Sequence, residues 1–144
     1  MKRETRQRQA IRRVFQEHPA PLLVGDILQR GQRHLPSLSQ ATVYRAVRDL
    51  VTDGVLAVVE LPGEPPRYEP AGKQHHHHFV CRSCGVVFEL EGCLPGWRSL
   101  VPEGFRVEAH EIVLYGSCRP CSIDSTSMND RDRNAARRSS RLAA

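Results

Sequence analysis

The sequence has no run of eighteen successive apolar residues, and no apolar stretch at its start of the kind that directs secretion. A helix needs about 20 apolar residues to cross a bilayer, so we expect no membrane partner. These absences predict a soluble, cytoplasmic protein whose 144 residues form one domain or two small ones. Two small domains would each bury a thin core, which a bound metal ion would help to stabilise.

The sequence also lacks a nucleophile with an adjacent general base, the arrangement that covalent catalysis requires. A zinc deaminase would carry His-x-Glu and a proline before its Cys-x-x-Cys. Here His110 directly precedes Glu111, and Pro120 lies between two cysteines. A thioredoxin-like redox motif needs only one Cys-x-x-Cys pair. We therefore expect that the protein is not an enzyme.

Four of the five cysteines form two Cys-x-x-Cys pairs, which are separated by 33 residues. Disulfides are rare in a reducing cytoplasm, where such pairs more often bind metal. Four thiolates complete a closed tetrahedral zinc site with no open position for chemistry. The sequence thus predicts a structural Zn²⁺ held by Cys81, Cys84, Cys118 and Cys121, with Cys93 left over.

Basic residues are concentrated in the first part of the chain, where residues 1–59 hold ten Lys and Arg against five Asp and Glu. This charge indicates a polyanion partner, although a solvated basic face is the common alternative. The same part contains three amphipathic helical patterns, over 5–17, 23–30 and 39–54. Ser39 is a good N-cap for the third helix.

A hairpin is predicted after the third helix, from a β-rich run at 55–61, turn residues at 62–66 and a short run at 67–69. Three helices and a hairpin are the layout of a winged helix-turn-helix, whose last helix enters the major groove of DNA. The residues expected to contact DNA are Gln40, Thr42, Tyr44, Arg45 and Arg48. Tyr44 fits a core aromatic position equally well.

The second half is predicted to be a small α/β unit. Residues 70–74 interrupt the preceding pattern and indicate a hinge. Beyond the hinge, β-branched and aromatic residues predict strands at 79–81, 86–90 and 105–115, with a short helix over 93–101. The whole chain is therefore expected to be an α+β protein.

Four consecutive histidines, residues 75–78, precede the first of these strands and lie too far inside the chain for a purification tag. If they continue the strand, His75 and His77 point to one face and His76 and His78 to the other. Two metal sites are then possible, and a solvated patch with incidental metal affinity is the alternative. Candidates for the remaining ligands are Glu69, Glu89 and His110.

Several stretches, taken in order over residues 5–121, resemble the ferric uptake regulator (Fur) superfamily. They are Thr5-x-x-Arg8, ATVYRAVRDLVTDGVL, RYEP, HHHHFVCRSCGVVFEL, FRVEAHEIVLYGSC and the final Cys-x-x-Cys. The resemblance implies a homodimeric, metal-dependent repressor that binds palindromic double-stranded DNA operators. We place the winged-helix DNA-binding domain at 1–69, the hinge at 70–74, the metal-binding α/β dimerisation domain at 75–121 and a disordered basic tail at 122–144.

The resemblance also implies roles for individual residues. It assigns the four paired cysteines to the structural zinc, and it adds Arg8 to the DNA-binding residues. The implied regulatory site between the domains consists of Glu69, His76, His78 and Glu89. The implied ligands of an additional site are His75, His77 and His110. The regulatory metal is expected to be a second divalent ion, Zn²⁺, Fe²⁺ or Mn²⁺.

Two positions depart from the family's pattern. Pro21 stands where the regulatory site usually takes a histidine, so either His18 replaces that ligand or the ligand is missing. Gly96 stands where the additional site usually takes a glutamate. Candidates for that ligand are Glu91, Glu103 and Cys93. A core position is the simpler interpretation of Cys93.

Two other functions fit the same residues. Peroxide sensors of the superfamily resemble this protein, but they tend to place aspartate at the positions of Glu69 and Glu89, which disfavours peroxide sensing. A constitutive, zinc-stabilised nucleic-acid-binding module would leave the histidines without a role.

Overall fold

The first half of the chain forms three helices and a hairpin in a computed structural model that describes residues 5–123. The helices are α1 (Arg6–Glu17), α2 (Val24–Gly31) and α3 (Gln40–Thr52), and the antiparallel strands are β1 (Leu56–Val59) and β2 (Arg67–Pro70). The predicted winged-helix layout is therefore confirmed. All but the first two residues of the predicted tail lie outside the described part of the chain. Among the described residues, no helix has the length and apolar character needed to cross a bilayer.

Side-chain caps fix where two of the helices begin. The Thr5 hydroxyl accepts the backbone N–H of Arg8 at 3.3 Å, and the Ser39 hydroxyl accepts that of Thr42 at 3.3 Å. Each cap satisfies one of the N–H groups that a helix start leaves unpaired, which stabilises the helix by about 1 kcal/mol. Gly54 follows α3 with a φ of 71°, a conformation that favours glycine and ends the helix.

The apolar faces of the three helices pack into one core. Ile11, Ile27 and Leu50, one from each helix, are fully buried there. Leu38, before α3, and Leu56, at the start of β1, complete the core. Burial of each large side chain contributes roughly 1.5–3 kcal/mol. This packing holds α3 in place with its opposite face exposed.

The second half forms a three-stranded sheet in the order β4-β3-β5. The central strand β3 (His76–Cys81) pairs antiparallel with β4 (Val87–Glu91) and parallel with β5 (Val113–Gly116). Parallel strands need a long connection between them. One turn of 3₁₀ helix, Trp97–Leu100, lies in the connection that precedes β5.

Two predicted elements of the second half are wrong in extent. The strand predicted over 105–115 is confined to Val113–Gly116, and the helix predicted over 93–101 is reduced to Trp97–Leu100. A strand is stabilised by cross-strand partners, and only residues 113–116 of this segment pair with β3. Residues 105–112 have the composition of a strand without a partner strand in the described part of the chain.

The hairpin packs directly against the second sheet. A second small core consists of Val59 and Leu61 from the hairpin and Val80 and Val87 from the sheet. The guanidinium of Arg67 is buried, and its Nη2 donates to the carbonyl oxygen of Gly85 at 3.0 Å. The winged helix is therefore held against the sheet by apolar contact and by a charged hydrogen bond.

Gly31, the last residue of α2, leaves no room for a methyl group. A Cβ there would lie 2.7 Å from Cδ2 of Leu38, whose side chain is buried in the helical core. We therefore expect Gly31→Ala to lower the free energy of unfolding by about 1–3 kcal/mol. Urea and thermal unfolding measure this change.

Gly25→Ala is the matched control in the same helix, because a Cβ there meets no atom within 4 Å. It should raise the free energy of unfolding by up to about 1 kcal/mol, since alanine favours a helix over glycine. Equal effects of the two substitutions would contradict the close packing at Gly31.

Candidate metal centres

Three groups of side chains bring possible metal ligands together in the described part of the chain. The thiol cluster consists of Cys81, Cys84, Cys118 and Cys121. Its four sulfur atoms lie within 4.8 Å of one another. Cys81 is paired with Gly116 across the parallel strands β3 and β5, so both Cys-x-x-Cys segments leave the sheet at the same end of the strands. This pairing explains how two motifs that are 33 residues apart meet.

A tight turn holds each Cys-x-x-Cys segment. The N–H of Gly85 donates to the carbonyl of Cys81 at 2.8 Å, and Gly85 has a φ of 74°, which favours glycine. In the helical segment 119–123, the N–H of Ser122 donates to the carbonyl of Cys118 at 2.9 Å. The turns therefore curl the chain around the sulfur atoms.

The four thiols differ in how readily they ionise. The backbone N–H of Cys118, 3.2 Å from the sulfur of Cys81, is the main cause that lowers the pKa of Cys81 to about 6. The hydrogen bond with the side chain of Cys118 raises the pKa of Cys121 to about 12. Four adjacent thiolates repel one another, so a bound cation is needed to hold them all ionised. A four-thiolate set of this kind fits Zn²⁺.

The interdomain cluster consists of Glu69 on β2 and His76 and His78 on β3. Glu69 is only 5% exposed. The Nε2 atom of His76 lies 3.0 Å from Oε1 of Glu69, and the Nε2 atom of His78 lies 3.8 Å from Oε2. The two imidazole rings are 4.9 Å apart. The hairpin and the sheet therefore both contribute ligands to one place.

The hydrogen bonds of this cluster suit a cation between its members. The Nδ1–H of His76 donates to the carbonyl of Gln74 at 2.8 Å, which leaves Nε2 directed at the Glu69 carboxylate. A proton or a metal ion between Nε2 and the carboxylate oxygen makes this contact favourable. The buried Nε2 of His78 has no hydrogen-bond partner among the described residues. Burial lowers the pKa of His78, and the neutral ring that results is the form that binds metal.

Glu89, predicted as a further ligand of this site, stands outside the three residues that come together. It lies on β4 opposite His78, but its Oε2 is 2.5 Å from Nζ of Lys73. The same Nζ lies 3.1 Å from Oε2 of Glu69. Burial alone would raise the pKa of Glu89, but the hydrogen bond and charge of Lys73 outweigh burial, and the pKa is lowered. Lys73 was not among the predicted site residues, because its only signal in the sequence is a lone charge in the predicted hinge.

His18 stands outside the three ligand groups. Its Nε2 lies 2.8 Å from Nη1 of Arg30, and because a guanidinium only donates, the lone pair of Nε2 is already used. Pro21 is fully buried and offers no donor atom. The side chains that come together at this site are therefore those of the interdomain cluster, with Glu89 as their neighbour.

The histidine–thiol cluster consists of His75, His77, Cys93 and His110, whose ligand atoms lie within 4.8 Å of one another. The Nε2 atom of His75 is 3.1 Å from those of His77 and His110. The sulfur of Cys93 is 3.0 Å from Nε2 of His110. The interpretation of Cys93 as a core residue is wrong, because Cys93 is exposed and its thiol faces the imidazole rings. Glu91 and Glu103 stand outside this cluster.

His77 is the most constrained member of this cluster. It is 4% exposed, and burial, followed by the charges of His75 and His110, lowers its pKa. The backbone N–H of Ile112 donates to Nδ1 at 3.2 Å, which places the proton of the neutral ring on Nε2. A neutral imidazole that coordinates through Nε2 carries its proton on Nδ1, so metal binding at His77 requires the other tautomer and the loss of the hydrogen bond from Ile112. Three nitrogens and one sulfur form a donor set that suits zinc.

Four of the six predicted DNA-binding residues lie on the exposed side of α3, and the exceptions are Thr42 and Arg8. Tyr44 is 53% exposed, so its interpretation as a core aromatic is wrong. The hydroxyl of Thr42 lies 2.8 Å from the N-cap hydroxyl of Ser39. Arg8 lies on α1, where its Nη2 pairs with Asp53 at 2.6 Å. The exposed candidates are Gln40, Tyr44, Arg45 and Arg48.

The sequence matches the model of the ferric uptake regulator family over residues 2–115. The chain belongs to this family. The transcriptional regulator FurA of Mycobacterium tuberculosis is 34% identical over 96 residues, and the match spans 65% of this chain and 65% of FurA. Ferric uptake regulation protein 1 of Mycolicibacterium fortuitum is 30% identical over 118 residues, which cover 80% of this chain and 73% of that protein. The resemblance drawn from the sequence motifs is therefore confirmed, and these relatives are regulators rather than enzymes.

Solved structures of Fur-type regulators share this fold. A zinc-bound manganese uptake regulator superposes with a TM-score of 0.70 at 28% identity, over 81% of this chain and 90% of its own. The ferric uptake regulator of Francisella tularensis with iron gives a TM-score of 0.67 at 23% identity, over 83% and 94%. The α+β architecture of this Fur chain, a winged helix followed by a small α/β unit with a cysteine cluster, is thus confirmed.

The thiol cluster generates a prediction about folding. Cys118→Ser removes one thiolate, and we expect loss of the structural zinc and unfolding of the second sheet, because a structural zinc ion contributes folding free energy. Zinc content per chain and urea unfolding measure the two effects.

Cys93→Ser is the matched control, since it removes a thiol from the histidine–thiol cluster and leaves the thiol cluster intact. It should keep the structural zinc and the fold while losing metal from its own cluster. A folded Cys118→Ser protein with its full zinc content would show that the thiol cluster is not a structural site.

Proposed function

We propose that this Fur-family chain is a metal-dependent repressor of transcription that acts in the cytoplasm and binds a palindromic DNA operator as a homodimer. The interdomain cluster is the observation that carries the proposal. Glu69 comes from the wing hairpin, whereas His76 and His78 come from the second sheet. By holding one metal ion in common, these residues would favour the arrangement of the winged helices that fits the operator.

The exposed side of α3 supports DNA as the partner. Gln40, Tyr44 and Arg48 follow one another at four-residue spacing, so they share a face of the helix. Arg45 is exposed beside them. Arginine pairs with guanine edges and with phosphates, and the last helix of a winged helix-turn-helix presents such residues to the major groove.

Exposed apolar side chains of the second half support a homodimer. Phe105 is 71% exposed, and Phe88, Leu114 and Tyr115 are also exposed. Phe88 and Leu114 are both cross-strand partners of Phe79 and therefore share one face of the sheet, and an exposed apolar patch of this kind marks an interaction site. A second copy of the chain would cover it and would offer a partner to the irregular strand-like residues 105–112.

The donor atoms of the clusters support three metal sites with different preferences. The thiol cluster would hold the structural Zn²⁺, and the histidine–thiol cluster, with its sulfur, favours zinc as well. The interdomain cluster offers only nitrogen and oxygen, which accept Zn²⁺, Fe²⁺ or Mn²⁺. Relatives of known structure include a zinc-bound manganese uptake regulator and a ferric uptake regulator with iron.

The proposal predicts that operator binding depends on the interdomain metal. An operator is first selected from random duplexes with the metal-loaded protein, and binding is then measured by fluorescence anisotropy after chelation and after addition of Zn²⁺, Fe²⁺ or Mn²⁺. At least one of these ions should raise the affinity by about 5- to 150-fold. His76→Ala should lose this response and keep the structural zinc.

His34→Ala serves as the control, because His34 pairs with Glu17 and takes no part in the three clusters. It should respond to metal like the parent protein. Operator affinity that does not change with metal while the protein stays folded would favour a constitutive DNA-binding module instead.

The α3 surface gives a second prediction. Arg45→Ala removes an exposed arginine, and operator binding should weaken by about 1–3 kcal/mol if Arg45 contacts a base. The metal content should not change. Arg98→Ala, which removes an arginine stacked on Trp97 in the second half, should leave operator affinity unaltered. An unchanged affinity for Arg45→Ala would remove this residue from the DNA-contact surface.

A further inference from the structure

Lys73 has all three of its N–H donors paired. It lies in the connection between β2 and β3, and its side chain is 17% exposed. Its Nζ donates to the carbonyl of Pro19 at 2.7 Å, to Oε2 of Glu69 at 3.1 Å and to Oε2 of Glu89 at 2.5 Å. A lysine ammonium has three donors and no acceptor, so these contacts saturate it.

The three acceptors come from separate parts of the fold. Pro19 lies between α1 and α2, Glu69 on β2 and Glu89 on β4. Lys73 thus joins the winged helix to the second sheet, as a metal ion in the interdomain cluster would. The ammonium also supplies the positive charge that keeps two neighbouring carboxylates from repelling each other.

We propose that Lys73 is a built-in competitor of the regulatory metal for Glu69 and Glu89, and that it sets the metal concentration at which the protein responds. The inference rests on the proposed function, because it takes the interdomain cluster as the regulatory site. An ammonium and a divalent cation repel strongly at a separation of about 4 Å in a partly buried site. Binding of metal to both carboxylates therefore requires that Lys73 withdraw.

The two histidines decide which cation prevails. The ammonium makes no hydrogen bond to the imidazole nitrogens, whereas a metal ion would gain both His76 and His78 as ligands. The ammonium instead gains the carbonyl of Pro19. At low metal concentration the lysine keeps the carboxylates, and at high concentration the metal takes them together with the histidines. Metal binding must first break the hydrogen bonds of Lys73, and the free energy of these bonds lowers the apparent affinity for the metal.

Lys73→Met tests this competition, since it keeps an unbranched side chain of nearly the same length and all proposed ligands but removes the ammonium. Dissociation constants for Zn²⁺ and Mn²⁺ are measured by competition with a fluorescent chelator, on full-length protein that retains its structural zinc. The interdomain ion should bind at least about tenfold more tightly, because charge-assisted hydrogen bonds no longer oppose it. The rise in melting temperature on adding metal should also be larger than in the parent protein.

Two control variants separate the ammonium from net charge. Lys73→Arg keeps a cation at this position and should stay close to the parent protein. Arg106→Met removes one positive charge from an exposed residue of the connection before β5 and should leave the metal affinity unchanged. Tightening by Arg106→Met as large as that by Lys73→Met would overturn the inference, because general electrostatics would then explain it.

Other outcomes distinguish this inference from the proposed function. Glu69→Gln should weaken metal binding, and in its presence Lys73→Met should no longer raise the metal affinity. If Glu69→Gln binds metal as well as the parent protein, both the regulatory site and the competition are wrong. If Glu69→Gln weakens binding but Lys73→Met does not tighten it, only the competition fails. At saturating metal, Lys73→Met should bind the selected operator as tightly as the parent protein, and a loss of that affinity would show a structural clamp instead.

Discussion

The alternation of side chains along β3 is the constraint on which the metal chemistry of this Fur-family protein depends. Residues 75–81 contribute ligands to all three clusters. His76 and His78 meet Glu69 on one face, and His75 and His77 meet Cys93 on the other. Cys81 is the last residue of β3 and lies at the end of the sheet where β5 leads into the second Cys-x-x-Cys segment. One central strand therefore divides closely spaced ligands among sites with different donor atoms.

The charged groups around Glu69 connect β3 to the wing hairpin and to the loop before α2. A carboxylate that is 5% exposed is costly unless a cation is near, and the fold supplies one in Lys73. The same carboxylate faces Nε2 of His76 and lies close to His78, so a metal ion could bind all three side chains. The Lys73 ammonium and a metal ion can thus both pair with the buried carboxylate of Glu69. This carboxylate lies where the hairpin, the second sheet and the loop before α2 meet. The small apolar core and Arg67 hold that joint together independently of the metal.

The features that short-range chemistry determines could be predicted from the sequence. Ser39 caps α3, and the histidines alternate along β3, because both follow from local backbone geometry. Features that depend on distant partners could not. Residues 105–112 have the composition of a strand, but composition does not reveal whether a pairing strand is present. Cys93 looked like a core residue because its neighbours in space come from two distant segments, and Lys73 likewise finds its three acceptors in separate elements.

The pairing of β3 with its neighbours makes the number of residues between the histidines and Cys81 decisive. A shift of one residue in a strand moves every side chain to the opposite face. Cys81 and the partners on β4 and β5 fix the far end of β3, so insertion or deletion of a single residue between His78 and Cys81 would exchange the two pairs of histidines between the faces. The connection between β2 and β3 lies outside the paired strands and accepts changes of length more easily. Homologues should therefore vary in length in this connection and keep the spacing from the histidines to the first cysteine.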